Sequence, residues 1–168
     1  MDRVRHPAAL PEAKLLKQCD VIRTRRSGPG GQHRNRRETA VVLVHRPTGI
    51  RAEAAERRSQ EENRKRALRR LRITLAIEVA APIEGPPSAL WQSRCRGGQI
   101  VINSEHADFP ALLAEAMSTL CACDYDVRPA AEKLACTPSQ LVKFIKREPQ
   151  AFAALNRRRQ ERNLTALF

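Results

Sequence analysis

The chain has 168 residues, and its 31 Lys and Arg against 18 Asp and Glu give a net charge of +13 at pH 7. A surface this cationic favours a phosphate-rich partner, and a hydrophobic fraction of 42% excludes a wholly disordered chain. No apolar run approaches the roughly 20 residues that span a membrane, and the first residues lack the apolar stretch of a signal peptide. We therefore expect a cytoplasmic protein with no membrane contact.

The first half of the chain predicts a small antiparallel sheet packed on one long helix. A short helix is expected at residues 12–18. Strands are expected at 20–25, 39–45 and 50–54, where β-branched or alternating apolar residues dominate. The Pro47-Thr48-Gly49 turn separates the last two strands.

The long helix is predicted to begin after Ser59-Gln60-Glu61-Glu62, because the serine and the last glutamate have the spacing of a capping box. Apolar residues then recur at helical spacing, at Ala67, Leu68, Leu71, Leu75 and Val79. We expect this stripe to pack against Ile22, Val42, Val44 or their neighbours in the sheet. The outward face carries six cations, which are Arg58, Lys65, Arg66, Arg69, Arg70 and Arg72.

A proline-rich segment at residues 81–87 predicts an extended linker, because its three prolines and one glycine disfavour a helix. The charge divides at the same place. Residues 1–80 hold 20 Lys and Arg with 9 acidic residues, whereas residues 81–168 hold 11 with 9. We therefore predict two domains, 1–80 and 88–168.

The second half predicts a hairpin at its start. Residues 89–94 and 99–102 are the expected strands, and Gly97-Gly98 is the expected turn, because paired glycines suit a two-residue hairpin loop. We interpret the adjoining Gly97-Gly98-Gln99 as part of that turn and not as a site.

Helical signals follow the hairpin. Asp108 and Asp126 are interpreted as helix caps. Residues 131–145 have the pattern of a helix-turn-helix, with Thr137 as the N-cap of the second helix. The predicted fold class is α+β, a small antiparallel sheet on a long helix followed by a mainly helical C-terminal module.

The segment that is the strongest candidate for a catalytic role is Gly28-Pro29-Gly30-Gly31-Gln32. Adjacent glycines adopt backbone angles barred to other residues, and they stand beside a side chain with two donors and an acceptor. Such a loop can push its backbone into a confined site. An isolated Gly-Gly-Gln is usually a simple turn, so the surrounding residues decide its interpretation.

Residues 19–75 resemble the peptidyl-tRNA hydrolysis domain of class I peptide chain release factors, the domain named for its Gly-Gly-Gln motif. Several short motifs occur in the family's order over about a third of the chain. The matching residues are Arg26-Ser27-Gly28-Pro29-Gly30-Gly31-Gln32-His33, Asn35, His45, Pro47-Thr48-Gly49-Ile50, Arg58-Ser59-Gln60, Asn63, Ala67 and Leu71.

The resemblance implies that Gly30, Gly31 and Gln32 are catalytic. The motif would enter the ribosomal peptidyl-transferase centre and promote attack of water on the ester that joins peptide to tRNA. The main-chain N–H of Gln32 would stabilise the negative oxygen, and its side chain would position water. His33 is interpreted as structural, and the resemblance leaves open whether a methyltransferase acts on Gln32.

Arginines lie on both sides of the loop, and the resemblance implies that large-subunit rRNA lines the cavity it enters. We therefore interpret the flanking cations and part of the long helix as contacts to rRNA and tRNA phosphates. The predicted contacts are Arg23, Arg25, Arg26, Arg34, Arg36, Arg37, Lys65, Arg66, Arg69 and Arg70.

Release factors that read stop codons carry further domains upstream of this motif, whereas 26 residues precede Ser27 here. The expectation is therefore a short, codon-independent form that rescues stalled ribosomes. Members of that kind often end in a disordered Lys- and Arg-rich tail. This chain instead ends in a basic helical pattern at 157–162 followed by apolar residues, which leaves its way of sensing a stalled ribosome open.

A non-catalytic function is the alternative. In that hypothesis the basic domain docks on RNA, and the helix-turn-helix-like segment reads RNA or DNA through Ser139, Gln140 and Lys143. The low net charge of residues 81–168 disfavours DNA reading.

No metal or cofactor is expected. The five cysteines are odd in number and lie mostly in apolar patterns, so we interpret them as reduced, buried residues. Cys121 and Cys123 with Cys95, Cys136 or His106 are the strongest zinc candidates, but the chain has no Cys-x-x-Cys.

Overall fold

The computed structural model describes residues 6–24, 39–82 and 85–168. Contacts group these residues into two compact units, one formed by the described part of Leu10–Leu75 and the other by that of Met1–Ala9 together with Ala76–Phe168. None of the helices in the described part of the chain is long and apolar enough to cross a membrane.

The first unit is the predicted antiparallel sheet with a long helix. Helix α1 is Glu12–Lys17, and the strands are β1 (Cys19–Thr24), β2 (Ala40–His45) and β3 (Arg51–Ala54). The strand order is β1-β2-β3, with both pairs antiparallel. The unit ends within helix α2 (Gln60–Glu78). These elements confirm the predicted α+β arrangement.

The strand register decides which side chains of the sheet share a face. The register places Val21, Leu43 and Ala52 opposite one another, so their side chains share one face. Leu43 on this face and Val42 on the other are both buried, whereas Val21 and Ile22 on the edge strand β1 are 45% and 47% exposed. Strand β2 is therefore buried on both faces, and the partners expected for the α2 stripe, Ile22, Val42, Val44 or their neighbours, stay a prediction.

The second unit is mainly helical. Its largest buried side chains are Trp91, Phe109 and Phe144, whose rings meet at centroid distances of 5.7 Å and 5.3 Å, with Phe144 between the other two. The indole N–H of Trp91 donates a 2.7 Å hydrogen bond to the carbonyl of Leu134. Besides a 3-10 turn at Pro7–Ala9, the elements are α3 (Ala89–Arg94), β4 (Cys95–Arg96), β5 (Gln99–Ile100), α4 (Phe109–Ala122), α5 (Val127–Lys133), α6 (Pro138–Ile145) and α7 (Pro149–Gln160).

The predicted strand at residues 89–94 is wrong, because this segment is helix α3. Ser88 caps the helix: its hydroxyl accepts a 3.1 Å bond from the backbone N–H of Trp91. The predicted turn is present between the much shorter strands β4 and β5. Gly97 and Gly98 have φ of +54° and +75°, the left-handed backbone that a two-residue hairpin turn requires.

The helix caps are partly as predicted. Asp126 accepts from the backbone N–H of Arg128 at 3.1 Å, and Thr137 accepts from that of Gln140 at 3.2 Å, which confirms both caps and the α5–α6 segment. Asp108 precedes α4, but its side chain caps no helix N–H. Its carboxylate instead accepts from Arg94 at 3.1 Å, because an ion pair competes for the same oxygens.

The contact-based units differ from the predicted division at residues 81–87. His6 bonds to the carbonyl of Val79 at 2.8 Å, and Ala8 is fully buried in the turn that packs on α4. The residues before Leu10 therefore group with the helical unit, and the change between units falls inside α2, after Leu75.

The cysteines are free thiols, but only Cys19 is buried; the other four are partly exposed, which corrects the expected burial. They do not gather into a site. In the described part of the chain, no group of three or more His, Cys, Asp and Glu side chains is arranged to hold a metal ion.

Candidate functional site

The Gly-Gly-Gln segment connects two neighbouring strands. Strand β1 ends at Thr24 and β2 begins at Ala40, and these two residues are register partners. The connection therefore leaves and re-enters the sheet at the same end. The predicted catalytic residues lie outside the described residues, as do most of the flanking cations; these are Gly30, Gly31, Gln32, Arg25, Arg26, Arg34, Arg36 and Arg37.

The return point of the connection is hydrogen-bonded to the start of α2. Asn63, which is fully buried, donates from Nδ2 to the carbonyl of Thr39 at 2.7 Å and to that of Arg57 at 2.8 Å. Its Oδ1 accepts from the backbone N–H of Arg57 at 2.9 Å. One carboxamide thus joins the residue before β2, the loop before α2 and the first turn of α2.

The start of α2 is capped as the sequence predicts. The hydroxyl of Ser59 accepts from the backbone N–H of Glu62 at 3.3 Å. The guanidinium of Arg64 bonds to Glu61 at 3.0 Å and lies 3.4 Å from Glu12 on α1. The hydrogen bond from Arg64 lowers the pKa of Glu61.

The opposite end of β2 holds a buried histidine. The Nδ1 of His45 lies 2.8 Å from the Thr48 hydroxyl, and its Nε2 lies 3.1 Å from the side-chain oxygen of Gln18. A neutral ring satisfies both partners by donating from Nε2 and accepting at Nδ1. Burial lowers the pKa of His45, and the charge of Arg46 lowers it further. The residue therefore fixes the β2–β3 turn and is far along β2 from the Gly-Gly-Gln connection.

The predicted phosphate contacts on α2 differ in how the protein itself uses them. Lys65 is 69% exposed in its side chain and lies 3.9 Å from Glu61, and Arg66 is exposed. Arg70 instead donates to the carbonyl of Glu53 at 2.7 Å and pairs with Glu56. Arg69 is half-buried.

Two further arginines, on β1 and α2, also differ in their exposure. Arg23 is exposed on β1. Arg72 of α2 is half-buried and donates to the carbonyl of Leu10 at 2.9 Å. Lys65, Arg66 and Arg23 are thus the predicted contacts most available to a partner among those the structure describes.

Glu56 shows how strongly Arg70 is engaged by its own domain. Burial raises the pKa of the Glu56 carboxyl, but the hydrogen bond and charge of Arg70, with bonds from the backbone, outweigh it. The pKa is lowered overall, so the carboxylate stays charged and holds Arg70 at neutral pH.

Part of the chain is similar to a known domain family. The model of the RF-1 domain family matches residues 16–86, a range that contains the sheet, the Gly-Gly-Gln segment and α2. The chain is therefore class I release factor-like over this range, which is 71 of its 168 residues.

Relatives of the RF-1 domain include several release factors. Peptide chain release factor 1 of Leptospira biflexa is 38% identical over 97 residues, which cover 54% of this chain and 28% of the relative. The same factor of Symbiobacterium thermophilum is 52% identical over 75 residues, covering 45% and 21%. The mitochondrial release factor 1-like protein of Rattus norvegicus is 51% identical over 67 residues, covering 38% and 18%.

The chain spans less than a third of the length of these relatives. No solved structure matches it at a significant level. The RF-1 match ends at residue 86, so it leaves α3 to α7 without a family assignment.

The helix-turn-helix-like segment presents an open groove. Ser139 and Lys143 are exposed on α6, whereas Gln140 is half-buried. Ser139 and Lys143 line a groove of about 560 Å³ together with Arg128 and Val142. Two of the three predicted reading residues therefore face the groove.

Sequence reasoning quoted Asn63 within the motif but missed its role. A signal was present, because Asn63 stands four and eight residues before Ala67 and Leu71, which are both fully buried. A polar residue on the apolar face of a helix must be buried, and a buried carboxamide needs partners. Its partners, the carbonyl of Thr39 and the backbone of Arg57, follow only from the fold.

Proposed function

We propose that this chain hydrolyses the ester between nascent peptide and tRNA on the ribosome. The observation that carries the proposal is the RF-1 match over residues 16–86, because that range includes the intact Gly30-Gly31-Gln32 motif. Its relatives are named peptide chain release factors. The proposed partners are therefore the ribosome and peptidyl-tRNA, and the proposed location is the cytoplasm.

In the proposed mechanism the protein supplies donors to a site that RNA completes. Attack of water places negative charge on the ester carbonyl oxygen, and the main-chain N–H of Gln32 stabilises that charge. One such donor typically contributes about a hundred- to a thousand-fold in rate. The side chain of Gln32 positions the water and excludes bulkier nucleophiles.

In the same proposal, cations bring the motif to rRNA. Arg23, Lys65 and Arg66 contact phosphates together with the arginines that flank the motif. Support comes from their exposure and from the net charge of +13. Arg70 contributes less, because its guanidinium is bonded within its own domain.

As a finer proposal, the chain acts without reading a stop codon and rescues stalled ribosomes. Its similarity to release factor 1 covers 28% or less of the relatives named above. Codon reading by those whole proteins is therefore not carried over to this chain.

The test is peptide release from ribosomes that hold a labelled peptidyl-tRNA in the P site. The A site contains a stop codon, a sense codon or no mRNA, and free peptidyl-tRNA is the control substrate. We expect comparable peptide release from the three ribosome complexes and no release from free peptidyl-tRNA. Release confined to the stop codon contradicts rescue, and binding without release favours the non-catalytic alternative.

A further inference from the structure

We propose that Asn63 is a positioning residue for the Gly-Gly-Gln connection, an inference that rests on the proposed function. Asn63 lies outside Gly30-Gly31-Gln32 and is not proposed to take part in the reaction itself. It acts through Thr39, the residue that directly precedes β2 and ends the connection.

The orientation of the Asn63 carboxamide is fixed by its partners. Two carbonyl oxygens, of Thr39 and Arg57, lie 2.7 Å and 2.8 Å from Nδ2, and one N–H, of Arg57, lies 2.9 Å from Oδ1. A flipped amide would place its oxygen against two acceptors and its nitrogen against a donor. Both amide hydrogens are thus committed, one of them to Thr39.

The hydrogen bond from Asn63 to the Thr39 carbonyl constrains the point where the Gly-Gly-Gln connection returns to the sheet. Thr24 and Ala40 are register partners, so the sheet fixes where the connection leaves. Its return is set by β2 and by the peptide of Thr39, whose carbonyl points at Asn63. Because Asn63 lies in the first turn of α2, the return direction is tied to the helix as well as to the sheet.

A purely structural role would be to hold the loop before α2, since two of the three bonds go to Arg57. Ser59 provides the matched control. Its hydroxyl caps the same helix end through Glu62 and has no bond to Thr39. Ser59→Ala therefore weakens the helix start and leaves the return point intact.

The experiment compares Asn63→Asp, Asn63→Ala and Ser59→Ala in the full chain. Asn63→Asp keeps an acceptor for the Arg57 N–H but loses the donors to the carbonyls of Thr39 and Arg57. Asn63→Ala loses all three bonds without adding a charge, so it remains informative if the aspartate variant fails to fold. Circular dichroism establishes that each variant is folded at the assay temperature. The maximal rate of peptide release and the factor concentration at half-maximal rate are measured on the same stalled ribosomes.

We expect Asn63→Asp to lower the maximal rate by about ten- to a hundred-fold, because a small misplacement of reacting groups costs up to about that much. The half-maximal concentration should change by less than about three-fold, since the phosphate contacts are kept. Ser59→Ala should change neither by more than about two-fold. A wild-type maximal rate in folded Asn63→Asp overturns the inference, as does an equal loss in Ser59→Ala.

A second readout separates this inference from the proposed function. Amide hydrogen exchange of a fragment covering residues 39–44 should accelerate in Asn63→Asp and stay unchanged in Ser59→Ala. If the wild-type chain releases no peptide, the proposed function fails, and exchange alone decides whether Asn63 holds the return point. Unchanged exchange in Asn63→Asp contradicts the anchoring.

Discussion

The protonation of His45 makes the stability of the first unit depend on pH. Its ring is 1% exposed and has a partner at each nitrogen, so a neutral ring suits the folded state. Protonation would place a second donor where the Thr48 hydroxyl donates. Burial, which disfavours the charged ring, lowers the pKa of His45 below its ordinary value of 6.5, and the charge of Arg46 lowers it further.

We expect the first unit to lose stability on mild acidification. A lowered folded pKa means that the stabilising contribution is present above pH 6.5 and is lost as pH falls through the lowered folded value. Urea unfolding between pH 7.5 and 5 should show a falling free energy of unfolding. In His45→Gln that fall should be shallower, and an identical pH dependence in both proteins would contradict the assignment.

At the scale of elements, sequence patterns predicted the RF-1 sheet and α2 well, because strand propensity, turn chemistry and a capping box agree there. Helix α3 was missed because Ala89–Arg94 is short and carries too few apolar residues to distinguish a helix from a strand. The tertiary bond from Trp91 to Leu134 and the Ser88 cap decide its state. Neither follows from local periodicity.

The cations of α2 give a prediction at the same scale. The double substitution of Lys65 and Arg66 by Gln should weaken ribosome binding and flatten its salt dependence. The slope of log binding constant against log salt concentration should fall by up to about 2. Arg70→Gln should leave that slope nearly unchanged, because Arg70 is bonded to Glu53 and Glu56. Binding measured from about 50 to 200 mM salt tests both. A larger slope change in Arg70→Gln would show that Arg70 binds phosphate.

For the whole chain, the division into domains 1–80 and 88–168 stays a prediction, and the contacts of the described residues group into units that change after Leu75. Composition marks the proline-rich segment, whereas the division depends on long-range packing such as the bond from His6 to Val79. The assignment of Gly30, Gly31 and Gln32 as the site stays a prediction from the motif. The bonds of Asn63 do not follow from the sequence, because its partners are backbone groups 24 and 6 residues away.

We propose that residues 88–168 direct the chain to its target and take no part in hydrolysis. A chain ending at Ala80 should keep its maximal rate of release, while the concentration at half-maximal rate rises by about ten-fold or more. Circular dichroism must show that the shortened chain is folded, because Ala76 and Ile77 are buried in the full chain. If the maximal rate is lower while the concentration at half-maximal rate is unchanged, the helical unit contributes to catalysis and the proposal is wrong.

Single-turnover peptide release by Gly31→Ala and Gln32→Ala, beside the wild-type chain, tests whether Gly30-Gly31-Gln32 is the catalytic motif. Ribosome binding is measured in parallel by co-sedimentation. We predict that release by each variant falls at least a hundred-fold, because Gly31→Ala alters the geometry of the Gln32 N–H and Gln32→Ala removes the side chain that positions water. Binding should change less than about three-fold. Release by either variant at the wild-type rate would contradict the assignment of Gly30, Gly31 and Gln32 as the catalytic motif.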